Sequence, residues 1–228
     1  MLTADLLNRL LEFDTPTVAN GIELLGQRDP TVGYTGPDVR ALMPELGRRI
    51  GIAVTARLDT TTAGVDDPGT LYEDWLHSIA KAARGENGER LPVFAVMESV
   101  GPRPRYTVTI GDGMGTTIVL AGAVGFLTNG SIRDIAGVRQ VPLACWGAGL
   151  SPMHGRLRWI DINSPVVIDG MTVRPGDVIQ ADENGALVIP PAIVEETYVK
   201  ALAVRETEAR LFARLKEPGQ TLERFLGR

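Results

Sequence analysis

The stretch YTVTIGDGMGTTIVLAGAVGFLTNGSIRD, residues 106–134, contains most of what the sequence indicates about the fold. Its β-branched start predicts a strand, its glycine-rich turn leads into an apolar helix at about 114–124, and GFLTN predicts the next strand. A strand–helix–strand unit brings the carboxyl ends of both strands to one edge of a sheet. We therefore expect Asp112, after the first strand, to lie near Arg133 and Asp134, after the second.

Two carboxylates and a guanidinium beside a helix N-terminus suit a divalent cation and an anionic substrate. Mg²⁺ is usually bound through one or two carboxylates and several waters. Arg133 then remains to bind a substrate carboxylate through two parallel hydrogen bonds. The unpaired N–H groups of the first helical turn also favour an anion. A simpler interpretation stays open, in which the glycines only form a tight turn and Arg133 only forms a salt bridge with an aspartate.

The rest of the chain predicts an α/β fold class in a single domain, residues 1–228. Leucines at helical spacing, and Thr15-Pro16 as a predicted helix cap and first helical residue, place N-terminal helices within about 1–27. From residue 91 onward, short apolar segments alternate with glycine-rich turns, which is typical of a sheet covered by helices. The other predicted elements are a strand at 51–58, a helix at 71–84, closely spaced strands between 156 and 190, and a long C-terminal helix at about 191–216.

Composition restricts the class of protein and its location. The chain has 228 residues, of which 44% are hydrophobic and 22% are charged, as in ordinary globular proteins. Its net charge of −5 argues against a nucleic-acid partner. One cysteine excludes an intrachain disulfide framework and fits a reducing cytoplasm. The N-terminus is too charged for a signal peptide, and no run approaches about 18 apolar residues. We therefore expect no membrane partner and a cytoplasmic location.

The other candidate residues carry weaker signals. Neither His77 nor His154 lies in a metal-ligand spacing such as HExxH. We interpret His77 as structural, whereas His154, in the loop LSPMHGR, either lines a pocket or is a plain loop residue. The remaining candidates are first interpreted as structural: Cys145 as a small buried residue, Asp182 and Glu183 as turn formers, and Glu206 and Glu208 as solvated helix charges.

The residue pattern also resembles a known family. Asp112, twenty intervening residues and then Arg133-Asp134 match the D-x20-R-D signature of the class II pyruvate aldolases typified by 4-hydroxy-4-methyl-2-oxoglutarate aldolase. The same superfamily includes the regulator of ribonuclease E activity A. The stretches FDTPTVANGIE, GAVGFLTNGSIRD, INSPVVIDGMTVRPGDVIQADENGALVIP and AVRETEARL agree with it. The resemblance is strongest over about residues 111–210 and looser over 30–105.

The resemblance implies an architecture and a role for each predicted site residue. The architecture is a layered α/β/β/α sandwich of the swivelling β/β/α type, assembled as a homotrimer or homohexamer with active sites between subunits. The implied ion is Mg²⁺ or Mn²⁺, bound at Asp134 largely through water, while Arg133 contacts the keto oxygen and carboxylate of the substrate. The other implied contacts are Asp112, which orders water or metal, the amides of Gly113, Met114 and Gly115, which hold the pyruvyl carboxylate, and a neighbouring subunit's Glu208 or Glu206, which reaches the metal through water.

The implied activity is that of a metal-dependent carbon–carbon lyase acting on a small 2-oxo acid. A 4-hydroxy-2-oxo acid is cleaved to pyruvate and a carbonyl product, with water ordered by the metal or a carboxylate as the base. Decarboxylation of oxaloacetate, which passes through the same enolate, is expected as a side activity. Two alternatives remain: a non-catalytic regulatory binding protein of the ribonuclease E regulator type, and a lyase or hydratase acting on another sugar-derived acid.

Three departures from the family pattern affect substrate choice. Asn20 stands where the family has an acidic residue, and the site turn is GDGMG, where larger residues such as leucine are common after the aspartate. His154 stands where another polar or basic residue is usual. These differences leave the enolate chemistry intact, but they leave the identity of the carbonyl product open.

Overall fold

The computed structural model describes residues 2–62 and 69–227, and its elements follow the predicted α/β order. The helices are α1 (Ala4–Leu11), α2 (Thr15–Glu23), α3 (Leu71–Arg84), α4 (Asp112–Ala121), α5 (Ile135–Val138), α6 (Val194–Leu215) and α7 (Leu222–Leu226). The strands are β1 (Arg40–Ala41), β2 (Arg49–Asp59), β3 (Val93–Ser99), β4 (Val108–Ile110), β5 (Ala123–Thr128), β6 (Ser131–Ile132), β7 (Ala144–Gly147), β8 (Gly149–Leu150), β9 (Arg158–Ile162), β10 (Val166–Ile168), β11 (Met171–Val173), β12 (Val178–Asp182) and β13 (Gly185–Ile189). The predicted fold class is therefore confirmed, including the long C-terminal helix.

The largest sheet within the described residues has the strand order β1-β7-β5-β3-β2-β12-β13, with β9 paired to β2. Its centre is parallel, because β2, β3, β5 and β7 pair in the same direction. Strand β3 is buried on both faces: Val93, Ala95 and Met97 pack on one side, and Phe94 and Val96 on the other. Burial of both faces explains why LPVFAVMES is a continuous apolar run rather than an alternating one.

Two layers and a helical cluster enclose this sheet. Helices α3 and α4 cover one face, where Trp75 and Ile118 are fully buried. The hairpin of β10 and β11 covers the opposite face. Helices α1, α2 and α6 pack together on the β12–β13 end, around Leu7, Val18 and Ala201. Helices α1 and α3 bury the apolar faces that the helical spacing of their hydrophobic residues indicates.

The pairing of the strand before Asp112 differs from the prediction. We expected this strand and GFLTN to be the two strands of one strand–helix–strand unit. Instead β4 lies in a separate three-stranded parallel sheet with β6 and β8, while β5 lies between β3 and β7 in the large sheet. The expected convergence still occurs, because the dipeptide strand β6 pairs with β4 and ends at the same edge.

The start of α2 differs from the prediction by one residue. Asp14, not Thr15, is the N-cap, and its carboxylate accepts a hydrogen bond from the Thr17 N–H at 2.8 Å. Thr15 instead binds Asp182: its N–H and its hydroxyl both donate hydrogen bonds to the Asp182 carboxylate, at 2.8 and 2.6 Å. The same carboxylate also accepts from the N–H and the side-chain amide of Asn184. Asp182, predicted only as a turn former, therefore joins α2 to the β12–β13 turn.

Replacing Asp182 by asparagine is expected to destabilise the protein by about 2–3 kcal/mol, because hydrogen bonds to a buried charged acceptor are worth about that much. The side chain is buried, and the amide that replaces one oxygen would face the N–H groups that now donate to it. The free energy of unfolding from urea titration measures the loss. Glu183→Gln is the matched control, since Glu183 is exposed in the same turn. Equal stability of both variants would contradict the tethering role.

The C-terminal helix is buried only over its first half. Val194, Thr197, Ala201 and Val204 are buried, whereas the later apolar residues Leu211, Phe212 and Leu215 are exposed. Among the described residues, no helix combines the length and apolar character needed to cross a lipid bilayer.

Candidate functional site

The small parallel sheet brings the predicted site residues together. The Arg133 N–H donates to the Ile110 carbonyl at 3.0 Å, so the chain leaving β6 runs beside the chain leaving β4. Asp112, Arg133 and Asp134 consequently line one cavity of about 210 Å³. The other lining residues are Val108, Thr109, Ile110, Gly111, Gly113, Met114, His154 and Leu157. The expected convergence of the two carboxylates and the guanidinium is therefore observed, although their chemical roles stay predictions.

Asp134 holds an unusual backbone conformation at this edge. Its φ of 54° and ψ of 36° are left-handed, a region that aspartate and asparagine tolerate better than most residues. It is the N-cap residue of α5, yet its side chain makes no capping hydrogen bond. Its carboxylate instead accepts from Arg133 Nε at 2.9 Å, and both side chains are partly exposed to the cavity. Arg133 and Asp134 therefore form the local salt bridge of the simpler interpretation, and both residues also line the cavity.

Two glycines make room for these carboxylates. A Cβ atom at Gly111 would lie 2.8 Å from Asp134 Oδ2, and one at Gly137 would lie 2.6 Å from Asp112 Oδ2. Both distances are shorter than van der Waals contact allows. The absence of side chains at Gly111 and Gly137 therefore lets the start of α4 and the start of α5 approach each other closely.

The backbone amides at the start of α4 differ in availability. The Gly113 N–H donates to Asp112 Oδ1 at 2.7 Å, and the Gly115 N–H donates to the Gly111 carbonyl at 2.9 Å. Gly115 is also buried and does not line the cavity, so the geometry does not support the carboxylate contact implied for it. No hydrogen-bond acceptor is found for the Met114 N–H among the described residues, and this group lies in the first turn of α4, at the positive end of the helix dipole. Of the three amides, that of Met114 is the best placed to donate a hydrogen bond to an anion.

The donor set fits a hydrated divalent cation rather than a fully protein-bound one. No group of three histidine, cysteine, aspartate or glutamate side chains with metal-binding geometry occurs within residues 2–62 and 69–227. Asp112 and Asp134 place two carboxylates at one small cavity. Mg²⁺ is usually bound by one or two carboxylates, with water supplying its other ligands. With Arg133, the three side chains carry a formal charge of −1, so an anionic substrate would be repelled without a bound cation.

Apart from His154, the other sequence candidates are not among the described residues that line this cavity. Neither Glu206 nor Glu208 is among the described residues that line it, and both belong to α6. Cys145 is buried in β7, and burial raises the pKa of its thiol, which makes it unsuitable as a nucleophile. His77 is exposed on α3, with Nδ1 hydrogen-bonded to the Glu73 carbonyl. His154 does line the cavity, which its sequence context had left open.

A larger cavity, of about 740 Å³, lies between the end of α3 and the β9–β10 connection. Its charged lining residues are Lys81, Glu86 and Glu89, and Glu89 is occupied by a hydrogen bond from the Ala4 N–H. Its described lining residues include neither an arginine nor an aspartate, so the Arg133–Asp134 pair of the smaller cavity has no counterpart among them. Convergence of reactive groups, rather than volume, favours the smaller cavity as the functional site.

Comparisons with known proteins agree with this fold. The sequence model of the RraA-like family, described as Aldolase/RraA, matches residues 13–188. A solved structure, that of RraAS2 from Streptomyces coelicolor, is described as an unusual member of the RNase ES inhibitor RraA protein family. It superimposes with a TM-score of 0.72 at 24% identity and covers 94% of this chain and 98% of that one. The match to RraAS2 concerns the fold.

Two curated relatives match over different extents. A protein of Pseudomonas paraeruginosa (strain DSM 24068 / PA7), named "Putative 4-hydroxy-4-methyl-2-oxoglutarate aldolase", is 34% identical over 167 residues, covering 70% of this chain and 96% of that protein. Protein DlpA of Legionella pneumophila (strain Philadelphia 1) is 34% identical over 115 residues, which are 50% of this chain but only 18% of that protein.

Proposed function

Since this chain belongs to the RraA-like family, we propose that it is a metal-dependent carbon–carbon lyase of the class II pyruvate aldolase type. The proposed reaction is the aldol cleavage of a 4-hydroxy-2-oxo acid to pyruvate and a carbonyl compound. The observation that carries the proposal is the meeting of Asp112, Arg133 and Asp134 at one small cavity at the N-terminus of α4. The name of the Pseudomonas paraeruginosa relative supports it independently.

The bound ion and the guanidinium have complementary roles in this proposal. Asp134, through water, and Asp112 would hold Mg²⁺ or Mn²⁺, with Glu206 or Glu208 of a neighbouring subunit as an outer contact. When bound, the ion supplies positive charge that stabilises the negative oxygen formed during cleavage. Arg133 donates hydrogen bonds to the keto oxygen and the carboxylate of the substrate, and its planar fork suits both groups.

The start of α4 orients the substrate. The Met114 N–H, at the positive end of the helix, donates to the carboxylate next to the keto group. The Gly113 N–H is adjacent, although it donates to Asp112 Oδ1 in this structure. A carboxylate held there places the keto oxygen toward Arg133, so that negative charge develops where a cation already lies.

A side activity follows from the same chemistry. Loss of CO₂ from oxaloacetate and cleavage of a 4-hydroxy-2-oxo acid both leave the enolate of pyruvate. A site that stabilises this enolate is therefore expected to decarboxylate oxaloacetate as well.

Removal of metal tests the proposed function. We expect protein stripped with a chelator to release no pyruvate from 4-hydroxy-4-methyl-2-oxoglutarate or from oxaloacetate, and addition of Mg²⁺ or Mn²⁺ to restore both activities. Coupled detection of pyruvate measures release, and circular dichroism checks that the stripped protein is folded. Folded, metal-loaded protein that releases pyruvate from neither substrate, nor from a panel of other 2-oxo acids, would remove the lyase proposal.

The proposed assembly is a homotrimer or homohexamer of single-domain subunits in the cytoplasm. The exposed apolar residues Leu211, Phe212 and Leu215 on α6 support an association of subunits through this helix. Such an association would also bring Glu206 and Glu208, on the same helix, toward another subunit.

A second candidate function is regulatory binding to an RNA-degrading enzyme, which the description of the Streptomyces coelicolor neighbour favours. The two functions are separable, because a binding surface does not need the cavity. A purified protein that binds such an enzyme but releases no pyruvate would favour the regulatory function.

A further inference from the structure

The segment from Ser151 to Leu157 passes beside the candidate site and is anchored on both sides of His154. Before it, the Ser151 N–H donates to the Ile132 carbonyl at 3.0 Å, which ties the segment to the end of β6. After it, Gly155 has a φ of 67°, and a Cβ atom there would lie 2.7 Å from the Thr60 carbonyl oxygen. Leu157 then packs against the core under α3 and α4. These contacts hold His154 at the cavity wall.

One hydrogen bond fixes which nitrogen of the His154 ring carries the proton. Nδ1 lies 2.7 Å from the Gly155 carbonyl oxygen. A carbonyl oxygen only accepts, so Nδ1 is the donor. In the neutral ring the other nitrogen, Nε2, then carries a lone pair and acts as an acceptor. Among the described residues, His154 is the histidine that lines this cavity.

The two carboxylates of the cavity are less available as bases than this ring. Asp112 Oδ1 accepts the Gly113 N–H, and Asp134 Oδ2 accepts from Arg133. Both carboxylates are also the groups that the proposed metal would occupy. Among the described residues His154 Nε2 has neither kind of partner, and His154 lines the same small cavity in which a substrate would lie.

We propose that His154, in place of the ordered water that the family resemblance implies, is the general base of the proposed aldol cleavage, a proposal that rests on the proposed function. Nε2 takes the proton of the substrate's C4 hydroxyl, the C4–O bond becomes a carbonyl, and the C3–C4 bond breaks. The electron pair of that bond passes into the enolate of pyruvate. The enolate takes up a proton from solvent at C3, which becomes the methyl group of pyruvate, and the imidazolium gives its proton to solvent. The protons therefore balance, and no oxidant or reductant is needed.

The side activity provides a test, because decarboxylation of oxaloacetate removes no hydroxyl proton. In His154→Gln, kcat/KM for cleavage of 4-hydroxy-4-methyl-2-oxoglutarate is expected to fall about 100-fold, in the range that a positioned general base contributes. Decarboxylation of oxaloacetate is expected to stay at the rate of the unaltered protein. The measured quantity is the ratio of the two activities, both assayed by pyruvate release in saturating Mg²⁺.

His77→Gln is the matched control. His77 is also exposed and also donates from Nδ1 to a backbone carbonyl, but it lies on α3 and does not line the cavity. It is expected to change neither activity. The unfolding midpoint of both variants confirms that the fold is retained.

Three other outcomes would overturn the proposal, and the two activities distinguish them. An equal fall of both activities in His154→Gln would assign the residue a structural or binding role. Two unchanged activities would exclude it from the reaction. Absence of both activities from the unaltered, metal-loaded protein would instead show that the proposed function itself fails, and the base assignment with it.

Discussion

Arg133→Gln is expected to lower kcat/KM for metal-dependent pyruvate release by about 10²–10³-fold, the typical loss when one donor to a developing oxyanion is removed. Glutamine keeps a polar side chain of similar reach but lacks the charge and the paired donors of guanidinium. Arg133 Nε lies 2.9 Å from Asp134 Oδ2, and the partly exposed Arg133 side chain lines the cavity. Steady-state kinetics on 4-hydroxy-4-methyl-2-oxoglutarate and oxaloacetate measure the effect, which should be similar for both substrates because both form the same enolate.

The loss of activity in Arg133→Gln should not result from unfolding of the protein. The Arg133–Asp134 pair is partly exposed, and such pairs contribute about 0–1 kcal/mol to stability. Arg139→Gln is the matched control, because Arg139 follows α5 closely and forms a comparable pair with Glu45 at 2.9 Å. It is expected to keep full activity. Arg133→Lys keeps the charge but not the planar fork of guanidinium, so its kcat/KM should lie between those of Arg133→Gln and Arg139→Gln. Full activity in Arg133→Gln would contradict the role proposed for the guanidinium.

Asp134→Asn is expected to weaken Mg²⁺ binding by about 10–100-fold, because Asp134 would hold the ion through water and hydrogen-bond partners of metal ligands are worth about that much in affinity. The substitution is structurally conservative. Asparagine tolerates the left-handed backbone that Asp134 adopts, so the start of α5 should keep its shape. Isothermal titration of the metal-free protein with Mg²⁺ measures the change without reference to turnover. Activity should fall in parallel at low Mg²⁺ and recover partly at high Mg²⁺.

Asp5→Asn controls for the general effect of removing an aspartate charge. Asp5 Oδ2 accepts from Arg9 Nε at 3.0 Å, nearly the geometry of the Asp134–Arg133 pair, but it lies on α1. Its loss should leave Mg²⁺ affinity unchanged. Equal Mg²⁺ affinity in the unaltered protein and Asp134→Asn would exclude Asp134 as a metal ligand and would leave Asp112 as the carboxylate to test.

Several elements were predictable because their signals are local. Helix α3 runs from Leu71 to Arg84, as predicted, since its apolar residues recur at helical spacing and Gly85 ends it. The start of α4 was placed two residues too late, because Asp112 and Gly113 are weak helix formers whose helical state depends on the surrounding structure. The spacing of Asp112 from Arg133 and Asp134 led to the correct meeting point even though the intervening strand pairing was wrong.

The details of the site depended on contacts that no local pattern contains. Strand β6 has two residues, too few for any periodic signal, yet its pairing with β4 brings the site together. Thr15 was expected to cap α2, but Asp182, 167 residues away in sequence, binds it instead. Gly115 was expected to face the substrate, and the helical hydrogen bond of its amide turns it into the core.

By itself the sequence determined the α/β class, the positions of the long elements and the three side chains that converge, because apolar periodicity and turn chemistry act between near neighbours in the chain. The folded chain was needed to show which short strands pair, which amide at the start of α4 lacks a partner among the described residues, and which nitrogen of His154 a backbone carbonyl holds. Those features depend on hydrogen bonds and close packing between segments far apart in sequence, and their geometry exists only once the chain has folded.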